Sequence, residues 1–280
     1  MPPDLLICYH GNCFDGVVSA ALFTRFYQPR LSPGAEVCYR GMAHGPADPF
    51  GPDHGETFHG RVNVVVDFRY SPSPALDWWC DHHHTTWLEP EHQAHFQADQ
   101  SGQKRFDSGA PSCAGLLARW LTRDHGFDAE PMEELVRWAD LIDSAAFESP
   151  RQAVELKDPA MQLAMLLESA PAPALVDKLI TTLARAGRLD AALELPEVQS
   201  ALGPMISRHE QDIERFRRRM VVADGVAEVD LTADGVDGFN KFIPYYLSQE
   251  ELRYTVVLTS SARRAKVSVG SNPWQRPDPL

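Results

Sequence analysis

Residues 5–27 read LLICYHGNCFDGVVSAALFTRFY, and the character of the chain changes halfway along this stretch. Residues 5–9, LLICY, form the short apolar run of a buried strand, while residues 16–27, GVVSAALFTRFY, carry the small and apolar residues of a packed helix. Between them, Gly11 and Gly16 permit a tight turn that holds His10, Asn12, Cys13 and Asp15. A strand that passes through a short polar turn into a helix opens an α/β arrangement. Two more apolar runs end the same way. Residues 62–66, VNVVV, stop at Asp67, and residues 76–80, LDWWC, lead into Asp81 and three successive histidines. Ligands of open α/β sheets bind beyond the carboxyl ends of the strands, so His10, Asp67, Asp81 and His82 are expected to share one crevice.

Further along, helices are predicted over residues 112–125 and 130–142, the second carrying Leu135, Trp138, Ala139 and Ile142 at helical spacing. Residues 158–220 are rich in Ala, Leu, Glu and Arg, interrupted by Pro171, Pro173, Pro196 and Pro204, and read as helical. The run HEQDIERFRRRM at its end reads as a solvated helix face rather than a basic binding patch. After Met220 the pattern turns to strands, in residues 221–231, 254–261 and 265–271, with a helix near 238–247. The expected organisation is a mainly parallel α/β domain over residues 1–150, a helical connector over 151–218 and a smaller α/β domain over 219–280. Residues 41–60, rich in Gly, Pro and His, read as a loop whose His44, His54 and His59 lie on the surface.

The chain of 280 residues has 44% hydrophobic and 23% charged residues, an ordinary globular composition, and no apolar run approaching the ~18 residues of a membrane span. Five cysteines without a C-x-x-C spacing suit reduced thiols, and the first residues lack the marks of a secretory signal, which together point to the cytoplasm. With 26 basic against 39 acidic residues the formal charge is -13, which disfavours a long nucleic acid and leaves room for a small phosphorylated ligand.

The polar residues at the strand ends form a His and carboxylate set of the kind that binds Mn²⁺, Mg²⁺ or Zn²⁺. HGNCFDG, VVVDF, DHHHT and WADLID follow one another across roughly the first 145 residues. In that order they resemble four motifs of the DHH phosphoesterase superfamily, named for the tripeptide that here is Asp81, His82 and His83. The resemblance implies a one- or two-ion centre, usually manganese, with a C-terminal domain that closes on phosphate-containing substrates. It makes His10, Asp15, Asp67 and His82 metal ligands, with Asp67 bridging two ions. It leaves His83 to act on the phosphate as a hydrogen-bond donor or general acid, with Asp81 orienting an imidazole from behind. His84 and Thr85 serve the loop.

Cys13 stands where many members carry an aspartate, a change that favours a softer ion or weakens the first site. A branch of the family resembles this HGNC-x-DG form. The fourth motif offers Asp140 or Asp143 as ligand, with Asp140 preferred. The family's glycine-rich GGGH segment is not found after KVSVGSNPW; Arg263, Arg264, Ser271 and Asn272 are the candidates for phosphate contact. The activity implied is metal-dependent hydrolysis of phosphodiester bonds in short oligonucleotides or dinucleotides. The alternatives are a phosphoanhydride hydrolase acting on pyrophosphate or polyphosphate, and a non-catalytic nucleotide-binding relative. The expected partners are that small substrate and a second copy of the chain, with neither a long nucleic acid nor a membrane.

Overall fold

The structure, a computed structural model, describes residues 2–45, 49–50, 57–234, 236, 238–248, 251–260 and 265–275. They form two compact units, Met1–Ser144 with Ala170–Leu195, and Ala145–Ser169 with Pro196–Leu280.

In the first unit the chain runs β1 (Leu5–His10), α1 (Phe14–Tyr27), β2 (Val37–Met42), β3 (Val62–Val66), β4 (Trp78–Asp81), α2 (Pro90–Ala98), β5 (Lys104–Phe106), α3 (Cys113–His125) and α4 (Glu133–Asp143). All five strands are parallel, in the order β2-β1-β3-β4-β5. The chain leaves β1 toward one edge and returns to its other side as β3. This reversal opens a crevice at the carboxyl ends of β1 and β3, where His10 and Asp67 stand.

Helix α1 is buried along nearly its whole length, from Phe14 to Phe26, and so carries an apolar surface all round rather than a single stripe. Its start approaches β1 so closely that a Cβ on Gly16 would lie 2.2 Å from the His10 carbonyl oxygen. Only glycine allows strand and helix to meet there, which brings Asp15 beneath His10. β2 and β5 escape the sequence reading because both are edge strands with half-exposed residues and no continuous apolar run. The expected loop at residues 41–60 begins inside β2, which runs to Met42.

The stretch expected as a connector does not stand as a body of its own. Helices α5 (Pro150–Val154) and α6 (Pro159–Glu168) belong to the second unit, whereas α7 (Pro173–Ala186) and α8 (Leu189–Leu193) return to the first. α7 buries Val176, Leu179, Ile180 and Leu183, and packs against α1, which needs a cover on the side away from the sheet. α9 (Pro196–Arg219) then runs through Pro204 without a break.

The second unit continues with β6 (Val221–Ala223), β7 (Val226–Asp230), α10 (Ile243–Leu247), β8 (Tyr254–Ser260) and β9 (Ala265–Ser271), the strands lying in the order β6-β7-β8-β9. Only β7 and β8 are parallel neighbours. Among the described residues no helix is long and apolar enough to cross a membrane.

Candidate metal centre

Each polar residue singled out at a strand end arrives on a different element, and the fold brings most of them together. His10 closes β1, Asp15 lies in the first turn of α1, Asp67 follows β3, Asp81 closes β4 and Asp143 closes α4. Asp67 has φ +55°, the left-handed region that costs a non-glycine residue roughly 1–3 kcal/mol. Its N–H donates to the Cys80 carbonyl at 2.9 Å, and that bond to β4 holds the turn. Asn12, in the loop after β1, adopts the same region with φ +60°.

Asp67 is 0% exposed, yet neither of its carboxylate oxygens has a hydrogen-bond partner. The same holds for His10 Nδ1, His82 Nε2 and Asp81 Oδ2. Buried polar atoms almost always find partners, and a cluster of orphaned donors of this kind suits a cation.

The donors fall into two groups, His10, Asp67 and His83 in one and Asp15, His82 and Asp143 in the other, the ligand atoms of each lying within 4.8 Å of one another. Asp67 faces both. Its Oδ2 is 3.5 Å from His10 Nδ1, and its Oδ1 is 3.6 Å from His82 Nε2. His82 Nε2 also lies 3.6 Å from Asp15 Oδ2 and 3.3 Å from Asp143 Oδ2. These gaps are too long for good hydrogen bonds and match two donors that each sit about 2.1 Å from a shared ion, which are roughly 3–3.5 Å apart. The residues fit divalent cations.

Hydrogen bonds on the far side of each ring decide its role. His82 Nδ1 is 3.0 Å from the Ala110 carbonyl, which only accepts, so Nδ1 carries the proton and Nε2 turns its lone pair to the three carboxylates. His83 Nδ1 is 2.8 Å from Asp81 Oδ1, so its proton is held by a carboxylate and Nδ1 is not free to bind metal. Nε2 is then the working atom of His83, at a half-exposed position. Asp81 Oδ1 also accepts from the backbone N–H of His82 at 2.8 Å, so it braces the His83 imidazole and the backbone that carries His82. His84 and Thr85 are exposed.

Asp15 is held at the N-terminus of α3, where Oδ2 accepts from the Cys113 N–H at 2.7 Å and Oδ1 from the Ala114 N–H at 2.8 Å. These donors have no partner inside their own helix, and they fix the carboxylate. Burial and the nearby Asp143 still push its pKa up to about 6. Asp67 is raised well above the usual carboxylate range by burial and by Asp15. His10 is lowered to about 4, chiefly by burial, whereas the bond to Asp81 raises His83. Cys13 stands at the N-cap of α1, its thiol pushed up to about 12 by burial and the Asp15 charge, and it is in neither donor group.

The two aspartates of the fourth motif stand in different surroundings. The Ser112 hydroxyl donates to Asp140 Oδ1 at 2.5 Å and accepts from the Gly115 N–H, so Asp140 secures the cap of α3. A Cβ on Gly115 would lie 2.3 Å from Asp140 Oδ1, which shows how closely the two helices meet there. Asp143, one turn further along α4, is the residue that reaches His82.

His44, expected on the surface, is exposed, but it stands at the rim of this centre. Its ring stacks on Phe68 at 4.6 Å and 26°, and its centroid is 4.7 Å from that of His10. Burial and the Arg69 charge lower its pKa. His54 lies outside the described residues.

The chain matches no protein-family model and no curated protein. Among solved structures it is similar to PggH of Vibrio cholerae, a pGpG-specific phosphodiesterase, with a TM-score of 0.66 and 18% identity over 97% of this chain and 84% of that one. The two chains share a fold. Two structures of the exonuclease RecJ bound to manganese, one of them from Thermus thermophilus, align with TM-scores of 0.48 and 0.46 and identities of 12% and 14%. Each alignment covers 91% of this chain, with 75% and 43% of the RecJ chains.

The second unit holds the remaining candidates. Asn272 is buried, its Nδ2 donating to the Leu252 carbonyl at 2.6 Å and its Oδ1 accepting from the Trp274 N–H at 2.9 Å. The side chain ties its own turn to the chain just before β8. Ser271 is exposed at the end of β9, and Arg263 and Arg264 lie outside the described residues.

Proposed function

We propose that this protein is a manganese-dependent phosphodiesterase that hydrolyses dinucleotides or short oligonucleotides. The observation that carries the reading is Asp67, fully buried, with both carboxylate oxygens unpartnered and within 3.5–3.6 Å of histidines of both donor groups. His10 and Asp67 would hold one ion, and Asp15, Asp67, His82 and Asp143 the other. Bound divalent ions supply Lewis acidity toward the phosphate oxygens and the attacking water.

The protein's own part is positioning and proton supply. His83, its Nδ1–H fixed on Asp81, turns Nε2 outward, and the raised affinity of this ring for a proton lets Nε2 donate to a phosphate or leaving oxygen near neutral pH. The deep placement of Asp15, Asp67 and His82 keeps bulk water from competing for the phosphate-binding charge. The charge of -13 suits small anions better than long strands. All five cysteines are free thiols, which suits the reducing cytoplasm we assign.

The test compares the chain with Asp67→Asn on a dinucleotide and on pyrophosphate, each with and without Mn²⁺. Mn²⁺-dependent cleavage of the dinucleotide, lost in the variant, is the expected result. Turnover of pyrophosphate alone would replace this reading with phosphoanhydride hydrolysis. Activity that survives Asp67→Asn would overturn the site.

A further inference from the structure

The rim of the centre contains an aromatic surface that metal binding does not use. Residues 43–45 follow β2, the strand next to β1, and carry His44 to within 6.1 Å of the His83 ring, measured between centroids. The ring does not hang free. One face rests on Phe68, which is itself 0% exposed and covalently next to Asp67, while Arg69 Nη1 donates to the Gly45 carbonyl at 3.1 Å and ties down the residue after it. His10 meets it at 67°, edge to face. Phe68 follows Asp67 directly in the chain, so the contact places His44 beside the turn that carries Asp67. Despite these contacts His44 is exposed.

A flat ring, backed by a buried aromatic and held a few ångströms from where the scissile phosphate would bind, suits one ligand chemistry well. We propose that His44 is the platform on which a nucleobase stacks, the base belonging to the nucleotide whose phosphate the metal centre holds. Every base offers a π-face, so stacking on histidine adds affinity without reading the base sequence. The inference rests on the phosphodiesterase reading above and deepens it, because it makes the substrate nucleotidic and excludes inorganic pyrophosphate as the preferred one.

The test uses two probes that share a phosphate and a sugar but differ in the base, GMP and ribose 5-phosphate, titrated into the Mn²⁺-loaded chain, His44→Ala and His44→Phe. The wild-type chain should bind GMP about 5- to 150-fold more tightly than ribose 5-phosphate. His44→Ala should erase that preference while leaving the affinity for ribose 5-phosphate and for Mn²⁺ unchanged, and His44→Phe should restore it. Equal binding of the two probes by wild type, or a preference that survives His44→Ala, overturns the platform. So does His44→Phe behaving like alanine, since that would assign His44 a hydrogen bond instead. The dinucleotide assay is scored separately. Loss of base preference in a chain without turnover keeps the platform and refutes the enzyme; turnover that is indifferent to His44→Ala, with base preference intact, does the reverse.

Discussion

Buried polar groups of the second unit and those at the strand ends of the first meet opposite fates. In the second unit, Asn272 bonds the Leu252 carbonyl and the Trp274 N–H, Asn240 bonds the Ala153 carbonyl, and His209 bonds the Val154 carbonyl. These groups are satisfied inside the fold, and they stabilise it. At the carboxyl ends of β1, β3 and β4, Asp67, His82 and Asp81 are as deeply buried and leave atoms unpartnered. A buried carboxylate without a partner costs stability, so its retention points to a cation that supplies the missing interaction. The difference separates residues that build the molecule from residues that act.

The sharpest way to break that contrast is at Asp67. Asp67→Asn should lower Mn²⁺-dependent turnover by on the order of 10³-fold, since it removes preorganised charge at the reacting group. Unlike most core substitutions, it should leave the metal-free fold as stable or more so, which a thermal melt in chelator would show. A variant with lower melting temperature and full activity would place Asp67 with the structural residues.

The next test separates two aspartates of one helix. Asp143→Ala should reduce turnover by about 10²-fold and weaken metal binding, with calorimetric titration of Mn²⁺ as the measurement. Asp140→Asn should instead destabilise by about 1–3 kcal/mol through the loosened cap of α3, with metal affinity nearly unchanged. Equal losses of metal affinity would return Asp140 to the site.

A pH series adds a third, smaller effect. The folded Asp67 carboxyl releases its proton well above the pH near 4 at which an unfolded aspartate does, so the folded state binds the extra proton between those limits. The metal-free chain therefore loses stability as pH rises through that window. His10, lowered from 6.5 to about 4, opposes this only between those two values, while His83, raised above 6.5, acts in the same direction as Asp67. Above pH 6.5 the melting temperature in chelator should fall with pH. The slope should shrink in Asp67→Asn and with saturating Mn²⁺; an unchanged slope in both would detach it from the centre.

The smallest effect belongs to the second unit. Asn272→Ala should cost about 1–3 kcal/mol in denaturant unfolding through its two lost bonds, without altering metal affinity. A change in substrate KM with stability unaffected would give Asn272 the phosphate contact expected from the resemblance of KVSVGSNPW to the family's C-terminal segment.

The strand ends could be read in the sequence because strand geometry is local. A short apolar run that stops at a charged residue announces its own end, and residues 62–66 match β3 residue for residue. The division of roles within DHHHT was expected from the family resemblance; in the structure the two rings differ in the bonds their Nδ1 atoms make, to Ala110 and to Asp81. Asp140 and Asp143 are different. They lie three residues apart on one helix, both near α3, and the choice between them depends on where α4 packs and on the bond from Ser112, a residue 28 positions away.

His44 shows the same boundary from the other side. Nothing in its glycine- and proline-rich surroundings distinguishes it from other surface histidines, and its place above Phe68 arises only when β2 pairs with β1 and β3 pairs on the other side. The sequence by itself determined the α/β alternation, the strand ends and the kinds of donor placed there, because these depend on neighbours in the chain. Which donors meet, which carboxylate is left without a partner and which ring stands at the rim were decided by long-range packing, since each depends on elements that touch only after folding.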